Sequence, residues 1–154
     1  MKVNLFFENA KTISEKFGTV PLLYGSVGLE YLTGENLGSD DIDILIPEIF
    51  VKERWNEFKS FLENCGYKLA DESEHTFEKD GVFYSYAKID DLFDFAGIEI
   101  SDIETVRTDK VCFKILSLEQ YLKVYLASAK DGYRINTRKK KDFEKIEFIK
   151  EHIK

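Results

Sequence analysis

At 154 residues the chain has the length of one domain, and 44% hydrophobic with 33% charged residues excludes a disordered or fibrous protein. No apolar run approaches the ~18 residues of a membrane helix, and the opening residues MKVNLFFENAKTISEK hold neither an apolar signal core nor a small-residue cleavage site. The net charge of −7 divides into 13 basic and 24 acidic side chains over residues 1–129, against 9 and 5 over residues 130–154. That acidic majority disfavours nucleic-acid binding and suits divalent cations. A cytoplasmic protein without a membrane span is expected, with Cys65 and Cys112 as reduced thiols.

Leu5, Phe6, Ala10, Ile13 and Phe17 recur at helical spacing, which predicts a first helix over residues 3–17 closed by Gly18. Val20 to Tyr24 reads as a short strand, and Gly25-Ser26 as a turn into a helix over 27–32. A polar loop at 35–40 precedes a strand over 41–46, DIDILI, which Pro47 ends. Phe50, Val51, Trp55, Phe58, Phe61 and Leu62 predict one amphipathic helix over 49–64. Strands are expected at 67–70, 75–78 and 82–89, the last two joined through Asp80-Gly81, because Asp-Gly readily supplies positive φ. A turn or short helix at 91–97 and a strand at 111–116 follow. Ser117 with Glu119 opens a helix to about Lys130, and a last helix spans 139–153. The order predicts an α/β (α+β) fold, a mixed β-sheet flanked by helices. One domain over 1–154 is expected, its sheet core ending near 116 and C-terminal helices filling the rest.

The chemistry concentrates between Leu22 and Pro47, LLYGSVGLEYLTGENLGSDDIDILIP. A strand enters Gly25-Ser26 and a helix leaves it, so unpaired N–H groups and the positive dipole end face whatever lies over the turn. Gly25 admits a bulky anion to the backbone and the Ser26 hydroxyl can donate to it, which suits a polyphosphate. In Asp41-Ile42-Asp43-Ile44 the strand period of two sets both carboxylates on one face and both isoleucines on the other. Two like charges so close call for a cation, and oxygen donors favour Mg²⁺ or Mn²⁺. His75 and His152 are the only histidines, so a histidine-rich metal site is excluded.

Gly25-Ser26 followed by Asp41-x-Asp43 resembles the nucleotidyltransferase superfamily, the polymerase-beta-like fold. The text around it is similar to the small antibiotic-type nucleotidyltransferases, those of lincosamides and aminoglycosides. A KD-containing basic helix, here Lys141-Asp142, also recurs in that group. The resemblance implies that Gly25, Ser26 and Lys141 bind a nucleoside triphosphate, with ATP the first choice. It implies that Asp41 and Asp43 are catalytic and hold Mg²⁺ (or Mn²⁺). The reaction would place a nucleoside monophosphate on a hydroxyl of a small molecule or protein and release pyrophosphate.

One departure stands out. The family usually adds a third carboxylate on a later strand, and Val82 to Ile89 contains none. Glu78, across the hairpin, is the nearest substitute, with Asp90 and Asp94 at the strand's far end. The gap leaves an alternative, a catalytically impaired nucleotide-binding or toxin–antitoxin-type regulatory protein of the same fold. His75, the basic run Arg138-Lys139-Lys140-Lys141 and the alternating Tyr84 and Tyr86 read more simply as structure than as chemistry.

Overall fold

A computed structural model of the chain describes residues 2–130 and 136–153, the side chains of 136–140 excepted. At its centre lie β1 (Leu22–Tyr24) and β2 (Asp41–Ile46), paired antiparallel with Tyr24 opposite Asp43. β5 (Val82–Lys88) runs parallel to β2, and β7 (Cys112–Ile115) parallel to β1. β3 (Lys68–Asp71), β4 (Thr76–Lys79) and β6 (Glu104–Arg107) add antiparallel strands, giving the order β3-β4-β5-β2-β1-β7-β6. The helices are α1 (Lys2–Phe17), α2 (Gly25–Thr33), α3 (Trp55–Asn64), α4 (Leu92–Ala96), α5 (Leu118–Lys130) and α6 (Asn136–Ile153).

The expected alternation in β2 decides which face of the sheet is core. Ile42 and Ile44 are fully buried, as are their register partners Tyr84 and Tyr86 to within a few per cent. Phe77 of β4 is paired with Tyr84 and lies on the same face. α1 supplies Phe6, Ala10 and Ile13 to this core, and Asn9 Nδ2 donates to the Tyr86 hydroxyl at 2.6 Å. Phe58 of α3 meets the Tyr86 ring edge-on at 5.1 Å. The two alternating tyrosines are therefore packing residues. His75 lies against the Trp55 ring at 4.6 Å and is likewise structural.

Three local expectations change. The helix expected over 49–64 is a 3₁₀ turn, Glu48–Val51, followed by α3, because Lys52 leaves helical backbone at φ −124°, ψ −98°. The break brings both Phe50 and Phe58 onto the Phe17 ring, at 5.1 and 5.6 Å. β6, Glu-Thr-Val-Arg, has no apolar alternation because it is an edge strand paired only with β7. α5 opens with a capping box whose partner is Gln120 rather than Glu119. Gln120 N–H donates to Ser117 Oγ at 3.1 Å, and Ser117 N–H to Gln120 Oε1 at 2.9 Å. The Asp80-Gly81 hairpin forms as expected, with φ of 53° and 80°. Among the described residues no helix is long and apolar enough to cross a membrane.

Candidate active site

The site begins where β1 stops. Gly25 turns the chain with φ +67° and is the first residue of α2. Tyr24, which precedes it, is extended, and its side chain makes no cap hydrogen bond to α2. A Cβ on Gly25 would stand 2.5 Å from Asp43 Oδ2. The missing side chain thus admits the Asp43 carboxylate to the turn itself. Ser26 follows in the first turn of α2, and Ser39 Oγ donates to Ser26 Oγ at 2.7 Å. The loop before β2 is tied to the start of α2 by that bond.

Asp41 is exposed and Asp43 half-buried, on the sheet face opposite Ile42 and Ile44. Cross-strand register extends this face outward. Asp43 is opposite Ser85 and then Thr76, whose hydroxyls lie 2.8 Å apart. Asp41 is opposite Phe83, which is 41% exposed, and then Glu78. Glu78 therefore shares the aspartates' face, with Phe77 turned into the core as that placement requires. It sits on the second strand away from β2, however, a separation of about 9–10 Å at ordinary strand spacing. Asp90 is engaged elsewhere, accepting the Glu48 N–H at 2.8 Å. Among the described residues no group of three His, Cys, Asp or Glu is placed to hold a metal ion. The pair Asp41 and Asp43, oxygen donors on one face and adjoining the Gly25 cradle, has the chemistry of a hard divalent cation's ligands.

On the other side of Asp43 the C-terminal helices close a small cavity of about 140 Å³. Tyr24 and Asp43 line it from the sheet, with Gly25 at the start of α2 and Phe95 of α4. Tyr121, Tyr125, Ser128 and Asp142 line it from α5 and α6. Tyr24, Tyr121 and Tyr125 form a stacked ladder with centroid spacings of 6.4 and 6.3 Å. Tyr121 Oη donates to the buried Leu23 carbonyl at 3.2 Å, in space that a Cβ on Gly28 would fill. Burial, reinforced by Tyr125, Tyr24 and the charge of Asp43, pushes the Tyr121 phenol well above its ordinary range. Ser128 Oγ donates to Asp142 Oδ2 at 2.8 Å, and Asp142 is only 5% exposed.

Sequence reasoning pointed to Lys141 on α6, but Lys141 is exposed and its neighbour Asp142 faces the cavity. The signal was present: Asp142, Ile146 and Ile149 fall on one buried helical stripe, where a carboxylate is out of place. The side chains of Arg138, Lys139 and Lys140 in the basic run lie outside the described residues.

No family model matches the sequence. The chain is 38% identical over 151 residues to an uncharacterized protein, YnaI, of Bacillus subtilis (strain 168), covering 98% of this chain and 97% of that one. Its fold is similar to the solution structure of the antibiotic-resistance factor ANT(2'')-Ia, with a TM-score of 0.53 at 14% identity over 99% of this chain and 91% of that chain. It is similar as well to the crystal structure of ANT(2")-Ia in complex with adenylyl-2"-tobramycin, with a TM-score of 0.56 at 14% identity over 100% and 91%. The chain thus belongs to one family with Bacillus subtilis YnaI, and its fold is nucleotidyltransferase-like.

Proposed function

We propose that this protein is a Mg²⁺-dependent nucleotidyltransferase. It would move a nucleoside monophosphate from a triphosphate, ATP first among them, to a hydroxyl of a small molecule or protein, releasing pyrophosphate. The observation that carries the reading is the contact between the Gly25 turn and Asp43, which sets a polyphosphate cradle directly beside the acidic pair. The crystallised ANT(2")-Ia complex contains an adenylylated aminoglycoside, which supports this reaction class on this fold.

In this reading the triphosphate lies over the start of α2. The N–H groups of the first turn, which the Tyr24 side chain does not cap, and the Ser26 hydroxyl donate to its oxygens, while the Asp43 carboxylate occupies the space a Gly25 side chain would take. Ser39 orients Ser26. Asp41 and Asp43 would hold Mg²⁺, which when bound supplies neutralising charge for the phosphoryl oxygens. Lys141, exposed beside Asp142, adds positive charge on the helical side, and Glu78, beyond Phe83, adds a carboxylate to the outer end of the aspartates' face.

A second reading, nucleotide binding without transfer, draws on Ser85. That residue holds the place beside Asp43 on β5 and is engaged with Thr76. Calorimetry with each of the common nucleoside triphosphates and Mg²⁺, then incubation of the α-labelled binder with a panel of alcohols, amino sugars and hydroxyl-bearing proteins, separates the two. Binding of one triphosphate with transfer of label is expected. Binding without transfer to any acceptor selects the second reading, and no binding of any triphosphate overturns both.

A further inference from the structure

The acid that β5 lacks is supplied, we infer, by the C-terminal hairpin: Asp142 of α6 takes the proton of the attacking hydroxyl. The inference rests on the transfer reading above. At about 140 Å³ the cavity beside Gly25 and Asp43 holds the reacting end of an acceptor rather than a whole nucleotide. Asp43 and Asp142 both face it, so its field repels phosphate and admits a neutral or cationic hydroxyl compound. The triphosphate is thereby confined to the α2 side, and the acceptor enters the cavity that Tyr24, Phe95, Tyr121 and Tyr125 line.

Asp142 is a buried carboxylate on a helix face that is otherwise apolar. It occupies a buried stripe with Ile146 and Ile149, where an apolar side chain would serve helix docking at lower cost. Ser128 instead fixes the carboxylate by donating to Oδ2 at 2.8 Å. A buried hydroxyl that holds a carboxylate in place at a cavity wall is the arrangement a reacting side chain needs. In the step, the acceptor's O–H bond breaks and its proton passes to an Asp142 oxygen. The freed oxygen lone pair forms the bond to the α-phosphorus as the bond to the bridging oxygen breaks, and pyrophosphate leaves with the electron pair of that broken bond.

The test compares wild type, Asp142→Asn and Ser128→Ala, all as the full chain. Affinity for an α,β-methylene ATP analogue with Mg²⁺ is measured by calorimetry. Transfer from α-labelled ATP is measured with concentrated glycerol as the acceptor alcohol. Asp142→Asn should bind the analogue within about twofold of wild type and lose about 10²–10⁴-fold in transfer, the range of a lost proton acceptor. Ser128→Ala should lose about fivefold in transfer at unchanged affinity. A folded Asp142→Asn with wild-type transfer overturns the inference, and so does one that loses analogue affinity in step with transfer. If circular dichroism shows Asp142→Asn unfolded, Ser128→Ala decides, and unchanged transfer there overturns it. A wild type that binds the analogue and labels no alcohol also overturns it. A wild type that binds no analogue fails earlier, at the transferase reading itself, and takes the inference with it.

Discussion

Gly25 and Asp43 are paired by exclusion: the carboxylate Oδ2 stands 2.5 Å from where a Gly25 Cβ would be. Gly25 also has φ +67°, so both the backbone and the space around it reject a side chain. Gly34 has φ +76° with nothing within 4 Å of its Cβ position, and provides the control. Gly34→Ala should cost roughly 1 kcal/mol from backbone strain alone. Gly25→Ala should cost about 1–3 kcal/mol more and abolish triphosphate binding, because Asp43 must move. Denaturant melts of both variants, with calorimetry on the folded fraction, check the difference. Equal costs would show that the carboxylate yields freely.

The acidic pair is expected to bind Mn²⁺ in the wild type. Asp41→Asn and Asp43→Asn should each weaken binding by at least about tenfold, since two carboxylates are the donors the face presents. Glu78→Gln should leave Mn²⁺ affinity unchanged, because Glu78 lies two strands out from β2. Electron paramagnetic resonance titration reads all three variants directly.

Ser26→Ala should weaken ATP–Mg²⁺ binding by roughly tenfold or more, the loss of one hydrogen bond to a charged group. Ser39→Ala removes only the group that donates to Ser26 Oγ, so a smaller loss of about two- to fivefold is expected. A Ser39 effect as large as that of Ser26 would mean that Ser39 itself meets the ligand. Calorimetry on the two variants and the double variant decides.

Burial raises the phenols of Tyr67, Tyr84, Tyr86 and Tyr121 above their ordinary range. The folded state therefore keeps these protons at pH values where the unfolded chain releases them. Their contribution to stability is intact below about pH 10 and is lost as pH rises through the folded values. Absorbance at 295 nm should show about half of the 8 tyrosines titrating late, together with unfolding rather than before it. Early, reversible ionisation of all of them in a folded protein would contradict their burial.

How much of this was readable in the sequence depends on the range of the forces involved. β2 runs over Asp41–Ile46 as its alternation demands, because a strand with one buried face fixes its own register. The turn at Gly25 was readable for the same local reason. Asp142 was not, although its helical stripe marked it as buried. Which cavity it enters depends on how α5 docks against β1, and that docking rests on Tyr121 and Leu23, 98 residues apart in the chain. β6 was unreadable because an edge strand with polar residues on both faces carries no period.

The meeting of Tyr121 with Gly28 and Leu23 bears on whether the C-terminal hairpin is a separable module. The phenol fills a gap that exists only because residue 28 is glycine, and it satisfies a carbonyl at the end of β1. A chain cut after Leu116 would remove that phenol and leave the hollow over Gly28 and the Leu23 carbonyl open to water. The hairpin is in this sense part of the sheet's own lining. Chimaeras that exchange hairpins between relatives must carry the glycine and the tyrosine together.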